Sequence, residues 1–186
     1  MLSFARPERM SVDQTQGVYE YFASNRVLFL YGPVFGFPQR KDSFSSTSLA
    51  DSMFMLSKMD SKSPIWLIID SEGGSVRDGL LLYDTIKNCS CPVYTVGRSC
   101  YSLAAILLAA GEPGHRYLFP HSQTMLHLPI GTVEGDEEIV QIQAKEMRKV
   151  RECLIHLLIE NGVRKTEKQI MKDINKDHWM DAQETI

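Results

Sequence analysis

The chain has 186 residues, of which 44% are hydrophobic and 23% charged, and its formal net charge at pH 7 is −3. This length and composition are typical of one globular domain with a proper core. A slightly acidic chain gives no sign of binding nucleic acid or an anionic membrane. Its longest apolar run falls well short of the roughly 18 residues that a membrane-spanning helix needs.

The four cysteines, Cys89, Cys91, Cys100 and Cys153, are predicted to be free thiols. Cys89 and Cys91 are separated by one residue, which fits neither a zinc knuckle nor a redox pair. No His or Asp accompanies the cysteines at the spacing of metal ligands, so we expect no metal site. The N-terminus shows no periodicity and no apolar segment of the kind that begins a secretory signal, so we expect a cytosolic protein.

The first third of the chain is predicted to form a helix, a strand, a loop and a second helix, at 11–25, 27–32, 35–46 and 47–59. Ser11 is the expected N-cap of the first helix, and Thr47 or Ser48 that of the second. Residues 64–70 then form a near-continuous apolar strand. Such a strand must be covered on both faces, as in a parallel α/β sheet.

Two adjacent glycines, Gly73 and Gly74, lie between this strand and a helix predicted over 75–88. Glycines at such a position allow a close approach of the backbone and turn N–H groups outward. A tight turn between strand and helix is the simpler interpretation. A phosphate loop is excluded, because the spaced glycine and the Lys-Ser/Thr pair are missing.

A tight turn at 97–101 is predicted to join a strand over 92–96 to an apolar helix over 103–110. Ser102 is expected in the first turn of that helix, next to unpaired backbone N–H groups and the positive end of the helix dipole. Those groups favour an anion, which acyl transfer to a serine generates. The alternative is that Ser99 or Ser102 only caps the helix.

Beyond this helix, which Gly111 is expected to cap, two short strands are predicted at 116–119 and 123–129, with a turn between them. His127 lies at the end of the second strand, where a lone histidine is usually a satisfied polar group. A helix of about 26 residues follows at 136–161 and would span about 39 Å, longer than a domain of this size is wide. We expect it to project and to pack against another subunit.

The C-terminal part is predicted to hold a capping box at Thr166 that opens a helix to about residue 175, an extended piece at 176–180 and a second cap at Asp181. Strands and helices thus alternate along the chain in the rhythm of right-handed βαβ units. This alternation predicts an α/β fold.

Three residue types that serine hydrolysis requires occur at the edges of these elements, as Ser102, His127 and Asp177. In such a triad the serine attacks, the histidine takes its proton and the aspartate orients the imidazole. The order Ser, His, Asp and the absence of a Gly-x-Ser-x-Gly elbow argue against a lipase or esterase. Spacing alone does not establish a triad, because a chain of this length holds many residues of these types.

Four motifs, in this order, resemble the ClpP family of proteolytic subunits of ATP-dependent Clp proteases. Residues 69–76 (IDSEGGSV) resemble the family's INSPGGSV, and residues 102–111 (SLAAILLAAG) resemble SMGAFLLAAG around its nucleophile. Residues 125–129 (MLHLP) resemble MIHQP, which holds the histidine, and residues 176–184 (KDHWMDAQE) resemble RDxFMSAxE, which holds the aspartate. The match extends from about residue 27 to the end.

The resemblance implies a crotonase-like fold in two stacked heptameric rings, a tetradecamer with an internal chamber. An AAA+ unfoldase of the ClpX, ClpA or ClpC type would feed unfolded polypeptides into it through an axial pore, and a second ClpP-type subunit could share the ring. Residues 1–26 would comprise an axial arm and the short helix, and 27–186 one protease domain whose handle helix, at about 136–161, joins the rings. No cofactor is expected in this subunit, since the partner ATPase uses the ATP. The compartment would be the cytoplasm or an organelle of bacterial origin.

Carried over residue by residue, the resemblance makes Ser102 the nucleophile, His127 the general base and Asp177 the acid that orients it. The backbone N–H groups of Gly74 and Leu103 become the oxyanion hole. This assignment gives the double glycine a role that a simple turn lacks.

The sequence departs from the family pattern at several places, among them a bulkier turn before Ser102, Leu103 in place of methionine and a segment at 35–46 that resembles an insertion. Gly97 lies one residue farther from the nucleophile, so alignment on Gly97 alone would put Tyr101 there, whereas the ungapped match of the downstream helix favours Ser102. Glu72 replaces a proline beside the expected peptide-binding edge. The pair at 175–176, Asn-Lys, replaces the Asp-Arg pair that helps rings to contact each other.

Two other functions remain open from the sequence. The first is a catalytically inactive ClpP-like structural ring subunit, which the irregular turn before Ser102 favours and the three intact triad residues oppose. The second is a crotonase-type acyl-CoA enzyme, which would share the fold. That class has no reason to place Ser, His and Asp in these motifs.

Overall fold

The computed structural model describes residues 12–36 and 45–186. The predicted N-terminal arm, the Ser11 cap and most of the loop predicted at 35–46 lie outside these residues. The elements in chain order are α1 (Val12–Ser24), β1 (Val27–Tyr31), α2 (Ser46–Met59), β2 (Ile65–Ser71), α3 (Val76–Asn88), β3 (Val93–Tyr101), α4 (Leu103–Ala109), β4 (Arg116–Leu126), α5 (Glu137–Glu160), α6 (Glu167–Asp173), β5 (His178–Asp181) and α7 (Ala182–Thr185).

The strands form one five-stranded sheet in the order β1-β2-β3-β4-β5. The first four are parallel, and β5 pairs antiparallel with β4. Parallel neighbours need a crossover connection, and α2, α3 and α4 supply the three crossovers. The predicted α/β fold with βαβ units is therefore confirmed, and it is consistent with the ClpP fold.

The core lies on the helical side of the sheet. Side chains alternate along β2, so Ile65, Leu67 and Ile69 are completely buried while the residues between them are half-buried. The opposite face carries aromatic side chains such as Trp66 and Tyr94, whose ring centroids are 5.1 Å apart. The expectation that this strand is fully covered on both faces is therefore correct for one face only.

β3 continues through the segment where the sequence predicted a tight turn. Ile69 of β2 pairs with Gly97, but Ser71 pairs with Cys100, so β3 holds one residue more than β2 between these pairs. A β-bulge absorbs such a residue and bends the strand locally. The residue by which this chain exceeds the family pattern thus lies inside a strand, and the turn predicted at 97–101 is wrong.

β4 is also continuous, so the turn predicted before residue 123 is wrong. From the pair Gly97–Leu118 to the pair Ser99–Gln123, the chain advances by two residues along β3 but by five residues along β4. The Ser122 hydroxyl closes this second bulge by donating to the Gly97 carbonyl at 2.7 Å. The two bulges face each other immediately before the carboxyl ends of both strands.

Two helix caps differ from the expected residues. The N-cap of α2 is Ser45, whose side chain accepts from the Ser48 N–H at 3.0 Å. The C-cap of α4 is Ala110, in a right-handed conformation, and Gly111 serves another purpose. A Cβ at Gly111 would overlap the side chain of Thr95, so the glycine permits a close approach between the end of α4 and β3.

The long predicted helix is present as α5, which has 24 residues. Its buried side chains, Ile155, Leu157 and Leu158, all lie near its C-terminus, so the rest of the helix extends away from the core. The two predicted capping boxes, at Thr166 and Asp181, are both formed. No helix in the described part of the chain is both long and apolar enough to cross a lipid bilayer.

Arg26, between α1 and β1, anchors the segment that follows α2. Its guanidinium donates hydrogen bonds to the carbonyls of Leu56 at 2.9 Å, Asp60 at 3.0 Å, Ser63 at 2.8 Å and Pro64 at 3.2 Å. Arg26 has a φ of 61°, a conformation that a non-glycine residue adopts only when its surroundings demand it. These four hydrogen bonds of the guanidinium hold Arg26 in this conformation.

Replacing Arg26 by lysine is expected to lower the free energy of unfolding by about 2 kcal/mol, because an ammonium group cannot reproduce the planar fork and leaves carbonyls unpaired. Urea unfolding followed by circular dichroism measures the change. Arg164→Lys, at an exposed position, is the matched control and should stay within about 0.5 kcal/mol of wild type. Equal stability of the two variants would contradict the anchoring role of Arg26.

Candidate active site

A cavity of about 260 Å³ lies at the carboxyl ends of β2, β3 and β4, between α4 and α5. Ligands of open parallel sheets bind at this edge, because the loops that leave the strands converge there. The described lining residues come from these loops, from α4 and α5, and from the ends of α3, β4 and α6. They are Glu72, Gly74, Val76, Ser102, Leu103, Ile106, Leu126, His127, Pro129, Ile130, Leu154, Ile155, Leu158 and Ile174.

Ser102 lies between the end of β3 and the start of α4 with φ 55° and ψ −122°. This backbone conformation is strained for any residue with a side chain, and such strain clusters at functional sites. Ser102 occupies the N-cap position of α4, as the alternative interpretation expected, but its hydroxyl makes no capping hydrogen bond. Its N–H donates to the Met125 carbonyl at 2.7 Å, which holds the strained residue against β4.

The two other candidates for the nucleophile position lie outside the cavity. Ser99 belongs to β3 and pairs with Gln123 of β4. Tyr101 is half-buried, and its ring packs edge-on against Trp179 of β5 at 5.0 Å between centroids. Of the three candidates, Ser102 alone lines the cavity.

His127 follows the last residue of β4 and lines the same cavity as Ser102. It lies two residues beyond Met125, whose carbonyl binds the Ser102 N–H. A strand rises about 3.3 Å per residue and repeats its side-chain direction every two residues. The register of β4 against β3 therefore brings His127 and Ser102 to the same cavity. Within the described residues, no hydrogen bond joins their side chains.

Asp177 directly precedes β5. Leu126 of β4 pairs with His178 of β5. If this register continues by one residue, His127 lies opposite Asp177. Residues that lie directly opposite each other in an antiparallel pair have side chains on the same face of the sheet. The Asp177 side chain is nevertheless exposed and is not part of the cavity lining. It makes no hydrogen bond to His127 or to any other residue that the structure describes.

The double glycine presents an N–H group to the cavity. Val34 forms a parallel bridge with Gly74: the Val34 N–H donates to the Gly73 carbonyl at 2.8 Å, and the Ser75 N–H donates to the Val34 carbonyl at 2.9 Å. In a parallel bridge of this kind the N–H of the middle residue points away from its partner. The Gly74 N–H therefore points away from Val34, and Gly74 lines the cavity.

The same glycines lie against the start of α4. A Cβ at Gly73 would come within 2.9 Å of the Ser102 Cβ and 3.1 Å of the Leu103 nitrogen, so only glycine allows this approach. Leu103 is the first residue of α4, and a first-turn N–H has no partner inside its helix. The structure thus gathers the N–H groups of Gly74 and Leu103 around the cavity that Ser102 lines.

The cavity is apolar apart from a few groups. Among the lining residues that the structure describes, Glu72 is the one carboxylate and His127 the one other titratable group. Cys100 lies two residues from Ser102, but burial raises the pKa of its thiol to about 12. That thiol stays protonated at neutral pH and is no competing nucleophile.

Three residues that help to build the site escaped the sequence analysis. Val34 and Met125 act through backbone N–H and carbonyl groups, which every residue type except proline offers, so the sequence carries no signal of these roles. Gly79 of α3 carried a signal in principle, because a glycine inside an amphipathic helix often marks a close contact. A Cβ at Gly79 would overlap the Leu103 side chain, so this glycine sets the position of α4.

No group of three or more His, Cys, Asp or Glu side chains within residues 12–36 and 45–186 is arranged to hold a metal ion.

Gly79→Ala is expected to lower the free energy of unfolding by about 1–3 kcal/mol, because the added methyl group overpacks the contact with Leu103. Urea unfolding measures the effect. Gly17→Ala, in α1 where nothing lies within 4 Å of the new Cβ, is the control and should be neutral or stabilising by up to about 1 kcal/mol. If Gly79→Ala were as stable as wild type, the close packing of α3 on α4 would be refuted.

The Cys100 thiol is expected to resist alkylation by iodoacetamide in the folded protein at about pH 8, because burial keeps it protonated and inaccessible. Mass spectrometry of labelled peptides before and after unfolding in urea measures this protection. Labelling of Cys100 at the same rate in both states would show that the thiol is accessible and would make it a candidate nucleophile.

Comparison with known proteins identifies the family of the chain. The family model described as Clp protease matches residues 10–186. The chain is 35% identical over 187 aligned residues to the ATP-dependent Clp protease proteolytic subunit 2 of Cutibacterium acnes, an alignment that covers 100% of this chain and 84% of that protein. The resemblance inferred from the four motifs is confirmed, and the chain belongs to the Clp protease family as a ClpP-type subunit.

Proposed function

We propose that the chain is a serine endopeptidase subunit, which hydrolyses peptide bonds of unfolded polypeptides that an AAA+ Clp ATPase delivers into an oligomeric chamber. The observation that carries this proposal is the backbone of Ser102, strained at φ 55° with a hydroxyl that caps nothing. Backbone strain clusters at functional sites, and a serine hydroxyl free to react beside a histidine is the arrangement that nucleophilic catalysis uses.

In the proposed mechanism, the Ser102 hydroxyl attacks the substrate carbonyl while His127 accepts its proton. The N–H groups of Gly74 and Leu103 donate to the oxyanion that develops on the carbonyl oxygen. His127 then returns the proton to the leaving amine, and water releases the acyl group by the same steps in reverse. Asp177 orients the imidazole and stabilises its cation.

The proposal requires Asp177 and His127 to approach within hydrogen-bond distance, which they do not do in the single chain. Catalytic hydrogen bonds often tighten only when a site is assembled and occupied. Most of α5 extends away from the core, as an element that packs against another subunit would. We propose that assembly into stacked heptameric rings draws the ends of β4 and β5 together and completes the triad.

The partners follow from the family. Clp protease subunits work with Clp ATPases, so the subunit itself would need no cofactor, and its place would be the cytoplasm or an organelle of bacterial origin. The similar protein of Cutibacterium acnes is named subunit 2. That name supports the proposal that a second ClpP-type subunit shares the ring.

A second candidate is a catalytically inactive ring subunit. It is favoured by the exposed Asp177 and by the lack of a hydrogen bond between His127 and either Asp177 or Ser102 in the part of the chain described. An inactive subunit would assemble with the same partners and shape the chamber without cutting peptides.

Labelling of the assembled protein with a fluorophosphonate probe distinguishes the two candidates. We expect wild type to be labelled and Ser102→Ala to lose both labelling and peptide hydrolysis, the latter by a factor on the order of 10⁴ or more. Ser99→Ala is the matched control, since Ser99 is a strand residue outside the cavity, and it should be labelled like wild type. An unlabelled wild-type ring would support the inactive subunit, and loss of labelling in Ser99→Ala alone would shift the nucleophile to that residue.

A further inference from the structure

One carboxylate that lines the cavity, that of Glu72, has no partner among the residues that the structure describes. Glu72 lies in the loop between β2 and α3, is exposed and lines the cavity together with Ser102 and His127. It forms no ion pair or hydrogen bond with any residue that the structure describes. The nearby Asp70 differs, because Arg98 lies 3.4 Å from its carboxylate.

The position of Glu72 relates it directly to the reacting bond. It precedes Gly74, whose N–H faces the cavity, by two residues, and both residues line that cavity. Consecutive Cα atoms lie about 3.8 Å apart, so the Cα atoms of Glu72 and Gly74 are separated by no more than about 7.6 Å. An extended peptide has the same spacing, so the carboxylate would face a side chain within about two residues of the cleaved bond.

Within residues 12–36 and 45–186, no cation lies in the cavity to offset the charge of Glu72. The walls are formed mainly by leucine and isoleucine side chains, and the described lining residues include no lysine or arginine. In a cleft with apolar walls the field of a single charge is focused and selects ligands of opposite sign. A lysine or arginine of the substrate would supply the missing cation.

We propose that Glu72 is a specificity-determining residue that favours peptides with a lysine or arginine within two residues of the cleaved bond. The inference rests on the proposed peptidase function. It predicts a selectivity that comes from charge, superimposed on whatever apolar preference the cavity walls impose.

A positional library of fluorogenic peptides tests the inference, with lysine, glutamine or glutamate placed in turn at each position within two residues of the cleaved bond. At one position, wild type should cleave the lysine peptide roughly three- to ten-fold more efficiently in kcat/KM than the glutamate peptide, chiefly through a lower KM. Added salt should reduce the ratio, because the interaction is electrostatic and partly exposed to solvent.

Substitutions assign the preference to this carboxylate. Glu72→Gln should bring the ratio close to one, Glu72→Lys should invert it, and Glu72→Asp should keep most of it. Glu134→Gln removes a carboxylate from an exposed loop residue outside the cavity lining and should leave the ratio unchanged.

The outcomes separate the inference from the proposed function. Cleavage by wild type with equal rates for lysine and glutamate peptides, or an unchanged ratio in Glu72→Gln, overturns the role of Glu72 alone. A wild-type ring that neither reacts with the fluorophosphonate probe nor cleaves any peptide overturns the peptidase function, and the inference with it.

Discussion

The candidate site depends on one hydrogen bond, from the Ser102 N–H to the Met125 carbonyl, 2.7 Å long. This bond joins the end of β3 to the end of β4 at the point where both strands leave the sheet. It holds Ser102 at a positive φ, which a serine would not adopt alone, and it brings His127 into the same cavity. The bulges in β3 and β4 lie just before this point. They adjust the lengths of the two strands so that their ends meet.

The second requirement is close packing of backbone against backbone around the start of α4. Gly73 lies against Ser102 and Leu103, and Gly79 lies beneath the Leu103 side chain. Neither contact leaves room for a Cβ. Because both glycines lack a side chain, the backbone can pack closely enough to hold the N–H groups of Gly74 and Leu103 at the cavity. An oxyanion hole works because its donors are placed before the reaction and need not reorganise. If Gly74 and Leu103 act as proposed, the apolar packing of α4 against α3 and the sheet would provide that placement.

The sequence predicted most of the fold, since hydrophobic periodicity and capping residues are local signals. The α/β architecture, α5 and the capping boxes at Thr166 and Asp181 were confirmed. The predictions failed where strand pairing overrides local preference: Gly97 and Pro120 signal turns, yet both lie in strands whose bulges absorb them. Of the predicted site residues, the cavity brings together Ser102, His127, Gly74 and Leu103. Asp177 remains outside it in the single chain, and its role stays a prediction.

What the sequence by itself determined is the set of reactive groups and the family to which the chain belongs, because residue types and motif order are properties of the chain. The motif resemblance also sets Glu72 at the position where the family pattern INSPGGSV has proline. Only the tertiary structure decided which serine faces the cavity, because Ser99 and Ser102 are equally good caps by residue type and differ in strand register. The strain at Ser102, the orientation of the Gly74 N–H and the inclusion of Glu72 in the cavity arise from pairing between distant segments, which no local pattern encodes.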